Sequence, residues 1–311
     1  MTVSALPFRT LAPWLRESFG RPVRRIALDA GSSCPNRDGR RALGGCTYCD
    51  VEGSGTGALR SGEELAAQLT AGIRRVRRTG PKTGAIAYFQ SYSNTYVGLE
   101  RLAEMLEVVA PCIGDPVVAI SIATRPDTLP PEALELLGRY NRRVPIWIEL
   151  GLESADDRVL ETIRRFHTRA EFERAVARCR AAGLLTVGHA ILGLPGDGRN
   201  GARGTARCLA AAQVDGVKVH HLMILERTQM ASEWRAGDLS TLDHETYIDF
   251  LADFVERLDA EQVLHRLTGD SPPEKLLAPH WPVHKNAIRE GLAAELRRRG
   301  TRQGSHLACS S

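Results

Sequence analysis

Three cysteines that lie close together in the sequence could hold a metal centre: Cys34, Cys46 and Cys49. Two residues separate Cys46 from Cys49, a spacing that lets both sulfurs bind one centre. The stretch between Cys34 and Cys46 is polar and rich in Gly and Arg, so it can bend and bring in a third thiolate. The pattern therefore predicts a site with three thiolate ligands.

The remaining cysteines are isolated in the sequence and do not form a second close pair: Cys112, Cys179, Cys208 and Cys309. Their expected role is that of small buried hydrophobic side chains. A structural zinc site uses four protein ligands, whereas three thiolates on a [4Fe–4S] cubane leave one iron open for a small molecule. The cysteine spacing alone leaves zinc and an iron–sulfur cluster as competing interpretations.

Short apolar runs alternate with amphipathic stretches over the first 225 residues. They predict strands over residues 24–29, 84–89, 117–122, 144–150, 185–192 and 216–221, and helices over 63–78, 97–110, 131–139, 169–182 and 201–212. Alternation at these lengths is typical of βαβ units and a parallel sheet. Six units are fewer than the eight of a closed barrel, so we expect an open, partial (β/α)6 TIM-like barrel, or otherwise a doubly wound sheet.

The pattern changes after residue 225, where helical stretches are joined by irregular segments. Helices are predicted over residues 242–258 and 285–298. The predicted organisation is a core of residues 1–225 that includes the cysteine loop 34–49, followed by a helical C-terminal extension over 226–300. The polar segment 301–311 is predicted to be a disordered tail.

Polar residues gather directly after, or at the end of, each predicted strand. The cysteine loop follows the first strand, and the later strands lead into Gln90, Ser91 and Asn94, into Arg125, into Glu153 and Ser154, into residues 193–197, and into His220 and His221. In parallel α/β folds ligands bind outside the carboxyl ends of the strands. The convergence of these segments predicts an enzyme rather than a scaffold.

The charge and hydropathy of the chain limit the partners and the location that can be expected for it. The net charge is +4, with arginine-rich clusters over residues 21–25, 74–78, 139–143 and 297–299 that are suited either to phosphate binding or to solvated helix faces. No run of about 18 uncharged apolar residues predicts a membrane span. The first residues do not form a secretion signal, so we expect a cytoplasmic protein without a membrane partner.

Several segments together resemble the radical S-adenosylmethionine (SAM) superfamily. They are Cys-Pro-Asn-Arg-Asp-Gly from Cys34, Gly-Gly-Cys-Thr-Tyr-Cys ending at Cys49, and residues 88–96, 149–154, 165–167 and 267–270. Eleven and then two residues separate the three cysteines, where the superfamily usually has three and then two. The long first gap is similar to that of the YhcC/YtqA-like group, which is related to the elongator-type catalytic subunit, and the resemblance extends from residue 19 to about residue 285.

The resemblance implies two cofactors, a [4Fe–4S] cluster and SAM, and a set of residues that hold them. Cys34, Cys46 and Cys49 would bind the cluster. The SAM contacts implied are Tyr48 near the adenine, Gln90, Ser91 and Asn94 at the methionine amino group, Glu153, Ser154 and Arg165 at the ribose and carboxylate, and Ile191 and Leu222 along the adenine. Residues 90–94 do not contain the Gly-Gly-Glu motif usual at that place.

The candidate substrate contacts are polar residues of the strand ends and of two later loops: Arg125, His167, Lys218, His220, Arg266 and Asp270. Strand alternation directs Lys218 and His220 to one face of the sheet and His221 to the other. A structural role is the alternative for Lys218 and His220. For Arg266 and Asp270 the alternative is a salt bridge that stabilises their loop.

The resemblance also implies the reaction. A reduced cluster donates an electron to SAM, and the resulting 5′-deoxyadenosyl radical abstracts a hydrogen atom from the substrate. We expect the substrate to be tRNA, modified at the 5-substituent of a wobble uridine, for example from carboxymethylaminomethyl to aminomethyl. An electron donor such as flavodoxin or ferredoxin is the second expected partner. A small-molecule substrate, or a structural or regulatory metal-binding protein, are the alternatives.

Overall fold

The computed structural model describes residues 6–50, 58, 62–281 and 284–307. Seven parallel strands form one sheet in which neighbours in space are neighbours in sequence. They are β1 (Val23–Leu28), β2 (Gly84–Phe89), β3 (Val117–Thr124), β4 (Ile146–Glu153), β5 (Leu185–Leu192), β6 (Gly216–His221) and β8 (Val263–Arg266). Two short strands, β7 (Ile224–Leu225) and β9 (Leu276–Ala278), pair antiparallel outside this sheet.

Most of the helices lie between successive strands in the chain, whereas the first helix precedes β1 and the last helix follows the last strand. The helices are α1 (Leu11–Phe19), α2 (Leu65–Arg78), α3 (Leu99–Val109), α4 (Pro131–Asn141), α5 (Asp157–Thr162), α6 (Arg169–Ala181), α7 (Gly198–Ala211), α8 (Gln229–Ala236), α9 (His244–Val255) and α10 (Lys285–Arg299). Among the described residues, no helix has the length and apolar character that a membrane crossing needs.

The middle strands are buried on both faces. Every residue of β2, β3 and β4 is buried, which explains why these segments read as almost continuous apolar runs. The sheet curves into an open half-barrel whose edge strands are β1 and β8. Helix α1 lies at the amino ends of the strands, where Trp14 packs against Trp147 with ring centroids 5.6 Å apart. The predicted open α/β barrel is confirmed.

The segment beyond residue 225 contains the predicted helices, and it also contains a strand that the sequence pattern does not predict. It contributes the seventh strand, β8, which pairs with β6 through Gly216 and Val263, Val217 and Leu264, and Lys218 and Arg266. Four residues that end in His265 and Arg266 give neither an apolar run nor a clear alternation, so the sequence pattern does not reveal this strand. The sheet therefore has a seventh strand, and this strand comes from the segment that the sequence predicts as the helical C-terminal extension.

The predicted disorder of residues 301–311 is wrong for residues 301–307. The buried side chain of Gln303 donates hydrogen bonds to the carbonyl oxygens of Asp259 (2.6 Å) and Gln262 (2.7 Å), and it accepts one from the backbone N–H of Arg9. These contacts fasten the chain end between the α9–β8 connection and the segment before α1. Residues 308–311 lie outside the described residues.

Candidate active site

A cavity of about 790 Å³ opens at the carboxyl ends of the strands. Most of the residues predicted to do chemistry line it: Cys34, Cys46, Tyr48, Cys49, Gln90, Arg125, Glu153, Arg165, Ile191, Lys218, His220, Leu222, Arg266 and Asp270. These residues are far apart in sequence, and the shared strand polarity of the sheet brings them together. The structure thus brings most of the polar strand ends together, but residues 193–197, which follow β5, do not line the cavity.

Four predicted contact residues do not reach the cavity wall: Ser91, Asn94, Ser154 and His167. Asn94 is buried and donates to the carbonyl oxygens of Phe89 and Ala123, while Ser154 hydrogen-bonds Asp197 (2.6 Å). Both side chains stabilise loops, and their burial explains why they point away from a ligand. The geometry does not support the ligand contacts predicted for these four residues.

The cysteine loop is shaped by hydrogen bonds to its own backbone and to the loop before α6. The N–H groups of Arg37 and Asp38 donate to the carbonyl oxygen of Cys34, and that of Cys49 donates to Cys46. Gly44 and Gly45 both have φ of 86°, a conformation that favours glycine and turns the chain toward Cys46. The loop therefore presents its cysteines in a defined arrangement.

Donors from the same loop point at two of the sulfurs. The side-chain amide of Asn36 lies 3.5 Å from Cys46 Sγ, and the guanidinium of Arg37 lies 3.3 Å from Cys49 Sγ. Burial and the neighbouring Cys46 raise the pKa of Cys49 to about 11, against the pull of Arg37. Hydrogen bonds to the sulfurs tune a bound cluster, so these donors fit thiolates that are metal ligands.

The three thiols are compatible with a cubane. Among residues 6–50, 58, 62–281 and 284–307, no three His, Cys, Asp or Glu side chains are grouped closely enough to share one metal ion. The protein thiolates of a cubane bind different irons, so they need not converge on one point, whereas the ligands of a tetrahedral zinc must. Cys34, Cys46 and Cys49 are free thiols at the edge of the cavity, as a [4Fe–4S] cluster requires.

A second cluster of polar groups lies beside the cysteines. Glu153 ends β4 with φ of 68°, after a register shift against β5, and Arg165 lies 3.3 Å from its carboxylate. The guanidinium of Arg165 also donates to the carbonyl oxygen of Gly151 (3.1 Å). Burial, with help from Glu153, raises the pKa of the adjacent Tyr48 hydroxyl well above its usual range. The group combines a carboxylate, a guanidinium and a phenol next to the thiols.

The loop that carries Arg165 is held from both sides. Thr168 and Glu171 form a reciprocal capping box at the start of α6, and Asn36 donates to the carbonyl oxygens of Arg164 (2.9 Å) and Arg165 (3.0 Å). His167 is buried in this loop, and its ring nitrogens make no hydrogen bond with a described residue. The capping box and the Asn36 contacts link the cysteine loop to the Glu153–Arg165 pair.

Inside the barrel lies a layer of buried polar side chains that the sequence pattern only partly predicts. Lys218 forms an ion pair with Glu149 and donates to the hydroxyl of Tyr88 (2.9 Å). Glu149 also accepts from the hydroxyl of Ser121 (2.7 Å), and His189 Nε2 lies 3.1 Å from it. Tyr88, Glu149 and His189 line the cavity but were not predicted as site residues. The feature of the sequence that could have identified them is a polar residue at an inward-facing position of an otherwise apolar strand.

Burial disfavours the charged forms of these side chains, and the attraction between Lys218 and Glu149 partly offsets that effect. Burial alone would raise the pKa of Glu149, but Lys218 and His189 outweigh it and hold that pKa well below its usual range. Burial lowers the pKa of Lys218, while Glu149 opposes that shift. Burial and the nearby Arg266 lower the pKa of His220, so its imidazole is neutral. The layer thus holds a carboxylate, an ammonium group and neutral imidazoles at the inner end of the cavity.

The salt bridge considered for Arg266 and Asp270 does not form. Asp270 pairs instead with Lys285 at 2.6 Å, on the surface. His221 Nδ1 lies 2.9 Å from the Thr268 hydroxyl, and its ring packs against Trp281 at 4.9 Å. His221 therefore joins β6 to the segment that follows β8, which is a structural role.

Two family models match the chain over most of its length. Residues 34–209 match the Radical SAM superfamily, and residues 214–298 match the Radical_SAM C-terminal domain. The first match begins at Cys34 and includes the cysteine loop. The two matches meet between α7 and β6, earlier than the boundary predicted at residue 225.

Similar proteins agree with this assignment. The chain is 38% identical over 297 residues to YtqA of Bacillus subtilis, covering 96% of this chain and 92% of that protein. It is 33% identical over 271 residues to YhcC of Escherichia coli, covering 86% and 85%. The archaeal Elp3 of Methanocaldococcus infernus has a similar fold, with a TM-score of 0.71 at 16% identity over 90% of this chain and 64% of that one.

The resemblance predicted from the motifs is thus confirmed, and with it the two cofactors, a [4Fe–4S] cluster and SAM, that this family uses. The interpretation as an enzyme is confirmed over that of a structural or regulatory metal protein. From the family match and the geometry of the cysteine loop, the chain belongs to the radical SAM superfamily and is a radical SAM enzyme.

Proposed function

We propose that this radical SAM enzyme modifies tRNA at the 5-substituent of a wobble uridine, for example by converting carboxymethylaminomethyl to aminomethyl. The observation that carries the proposal is the cavity, which extends from the three thiols to the buried polar layer. A volume of about 790 Å³ is within the range of sites for organic ligands. The resemblance to the elongator-type catalytic subunit supports the choice of nucleoside.

Each end of the cavity has its own task in this proposal. The bound cofactors supply a 5′-deoxyadenosyl radical. Arg165 and Glu153 hold SAM beside the cysteines, and Gln90, Ile191 and Leu222 complete its binding surface. Lys218, with Glu149 and Tyr88, orients the substrate at the inner end and excludes water from the radical.

Three arginines around the cavity are placed to bind RNA phosphates: Arg40, Arg164 and Arg227. They are exposed and make no ion pair with a described residue. Arg40 comes from the cysteine loop and lies 5.6 Å from the ring centroid of Tyr96. Arg164 precedes Arg165, and Arg227 follows β7, whose Leu225 lines the cavity. Phosphate contacts of this kind give affinity without sequence preference.

The arginine clusters that the sequence offers for RNA binding lie elsewhere. Residues 74–78 and 139–143 precede β2 and β4, so they lie at the amino ends of the strands, away from the cavity. Residues 21–25 run into β1, where the partly buried Arg25 packs over the ring of Tyr88 at 5.7 Å instead of lying on an open surface. In the cluster 297–299, Arg299 is partly buried in ion pairs with Asp253 and Glu256. These clusters therefore do not contribute to the RNA surface that we propose.

The proposal is tested by mass analysis of tRNA nucleosides from cells that lack the chain. We expect loss of one wobble uridine derivative and accumulation of its precursor. An unchanged nucleoside profile would contradict the proposal that tRNA is the substrate and would favour the small-molecule alternative.

Filter binding of tRNA at increasing salt tests the RNA surface separately. Replacing Arg40, Arg164 and Arg227 with Gln should reduce the salt slope by roughly one for each phosphate that the variant no longer neutralises. The matched control replaces Arg74, Arg75 and Arg78, which lie at the amino ends of the strands, and should leave the slope unchanged. Equal effects of the two triple variants, or no tRNA binding at low salt, would contradict the proposal.

The cluster must also receive electrons, and we propose flavodoxin or ferredoxin as the donor in a cytoplasmic setting. The free thiols and a reducible cluster require a reducing compartment, which supports that location. Reduction of the reconstituted protein by each donor, followed by measurement of 5′-deoxyadenosine, tests the partner. Turnover with a chemical reductant but with neither protein would contradict it.

A further inference from the structure

The cations of the cavity wall have partners, with one exception. The pairs are Arg37 with Cys49 Sγ (3.3 Å), Arg125 with Asp127 (2.8 Å), Arg165 with Glu153 (3.3 Å), Lys275 with Asp50 (3.6 Å) and Lys218 with Glu149. Arg266 lines the same cavity, yet it makes no ion pair or side-chain hydrogen bond with any residue that the structure describes. Within the described part of the chain, no acidic side chain matches its positive charge.

Arg266 lies at the carboxyl end of β8, opposite Lys218 of β6 in the sheet register. It is partly buried, and its charge acts on Tyr88, Lys218 and His220. The His220 side chain also lines the cavity without a hydrogen bond to a described residue. Two unpartnered polar side chains therefore lie near each other at the inner end of the cavity.

Two acids that line the cavity with Arg266, Glu149 and Asp270, are already engaged. The carboxylate of Glu149 forms an ion pair with Lys218 and hydrogen bonds with Ser121 and His189, and Asp270 forms an ion pair with Lys285. A guanidinium has five N–H donors, and withdrawing it from water without an anion is costly. No residue that the structure describes uses the N–H donors of Arg266, so they are open to an anionic ligand in the cavity.

The cofactor is not the natural source of that anion. Its end of the cavity has its own arginines, since Arg165 and Arg37 act on the cysteines, whereas Arg266 acts on the inner polar layer. The substrate occupies the inner end in the function proposed above, and the carboxymethylaminomethyl substituent ends in a carboxylate. We propose that Arg266 and His220 form an anion-binding subsite that holds a carboxylate of the substrate. This inference rests on the proposed function for the identity of the substrate, but not for the presence of the subsite.

The chemistry of the two side chains suits a carboxylate. The planar guanidinium of Arg266 donates two parallel N–H bonds to its two oxygens, a match that lysine cannot reproduce. The neutral imidazole of His220 adds one further N–H donor. An anion between them also offsets the positive potential that Arg266 imposes on Lys218.

The first test uses a matched pair of probes, 5-carboxymethylaminomethyluridine and its carboxamide analogue. Their affinities for the enzyme loaded with cluster and SAM are measured by calorimetry. The carboxylate should bind about tenfold more tightly or better, because a charge-assisted pair contributes more than a neutral hydrogen bond. Arg266→Gln should abolish the preference and Arg266→Lys should keep part of it. Arg235→Gln, an exposed arginine paired with Glu226, is the control and should not change it.

The second test does not depend on RNA. Acetate and inorganic phosphate are titrated into the loaded enzyme while the ring signal of His220 is followed by NMR with labelled histidine, assigned by comparison with His220→Gln. We expect acetate to shift the signal saturably in the wild type but not in Arg266→Gln. Saturation by phosphate without any effect of acetate would assign the subsite to a phosphate and refute the carboxylate.

The two tests separate the subsite from the function. If acetate binds through Arg266 but the two nucleosides bind equally, the anion-binding subsite is supported and the proposed uridine substrate is wrong. If neither acetate nor the nucleoside shows binding that depends on Arg266, the proposed subsite is wrong.

Discussion

Lys218 and Glu149 show how single residues constrain this molecule. Both side chains are fully buried inside the barrel, where an isolated charge would be costly. Their ion pair, with the hydroxyls of Tyr88 and Ser121, satisfies each charge locally. A buried pair adds little to stability over apolar residues, so its presence in a cavity wall points to binding or catalysis.

Removing one partner of this pair should be more harmful than removing both. Lys218→Met leaves Glu149 buried without its counter-charge and should lower the free energy of unfolding by roughly 3–5 kcal/mol. The double variant Lys218→Met, Glu149→Gln should recover much of that loss. Urea denaturation measures both. A double variant that is no more stable than the single one would show that the charges are not coupled.

Gly151 is a residue at which a side chain would meet the two groups that we propose to bind SAM, Arg165 and Glu153. A Cβ atom there would lie 2.2 Å from Arg165 Nη2 and 2.3 Å from Glu153 Oε1. We expect Gly151→Ala to fold, to displace the Arg165–Glu153 pair and to weaken SAM binding by about tenfold or more. Equilibrium dialysis with the cluster-loaded protein checks this.

Gly138→Ala in α4 is the matched control, because the nearest atom there is 3.6 Å away. It should leave the affinity for SAM unchanged. Equal affinities of the two variants would remove Arg165 and Glu153 from the SAM site.

At the scale of elements, the sequence predicts the longer strands and helices of the repeated βα units but misses the short strands. The six strands with apolar runs lie within a few residues of their predicted bounds, because strands buried on both faces must be apolar. Strand β8 was missed because tertiary pairing with β6, rather than composition, makes it a strand. Tyr88, Glu149 and His189 were missed because a polar inward residue is recognised only when the strand's orientation is known.

The end of the chain behaves as part of an element rather than as a tail. Gln303→Ala removes two donors to buried carbonyl oxygens and the acceptor for the Arg9 N–H. The free energy of unfolding should fall by roughly 1–3 kcal/mol, because buried groups lose their partners. The exposed Arg302, changed to Ala, is the control. Equal unfolding midpoints for the two variants would restore the prediction of disorder.

At the scale of the whole molecule, the cysteine loop joins segments from both halves of the chain. The N–H of Thr47 donates to Ile163 (3.1 Å), and the N–H of Met230 donates to Thr47 (3.1 Å). The loop is thus held between the end of α5 and the first turn of α8. A cluster that binds this loop should stabilise all three segments, since ligand binding to the folded state adds to its stability.

Hydrogen exchange of the apo and cluster-loaded proteins tests this link. Loading should slow exchange in residues 34–49 and also around Ile163 and Met230, because the loop and its two neighbours open together. The distant α10 serves as the internal control and should change little. Protection confined to the loop would mean that the three segments are not coupled.

We predict that Cys34, Cys46 and Cys49 hold a [4Fe–4S] cluster with which the chain cleaves SAM. Anaerobic reconstitution followed by iron analysis and by measurement of 5′-deoxyadenosine after reduction tests it most directly. We predict four irons per chain and cleavage of SAM, with cleavage lost when any of the three cysteines is changed to Ala and kept in Cys179→Ala. Zinc without SAM cleavage, or equal loss of activity in all four variants, would contradict the account.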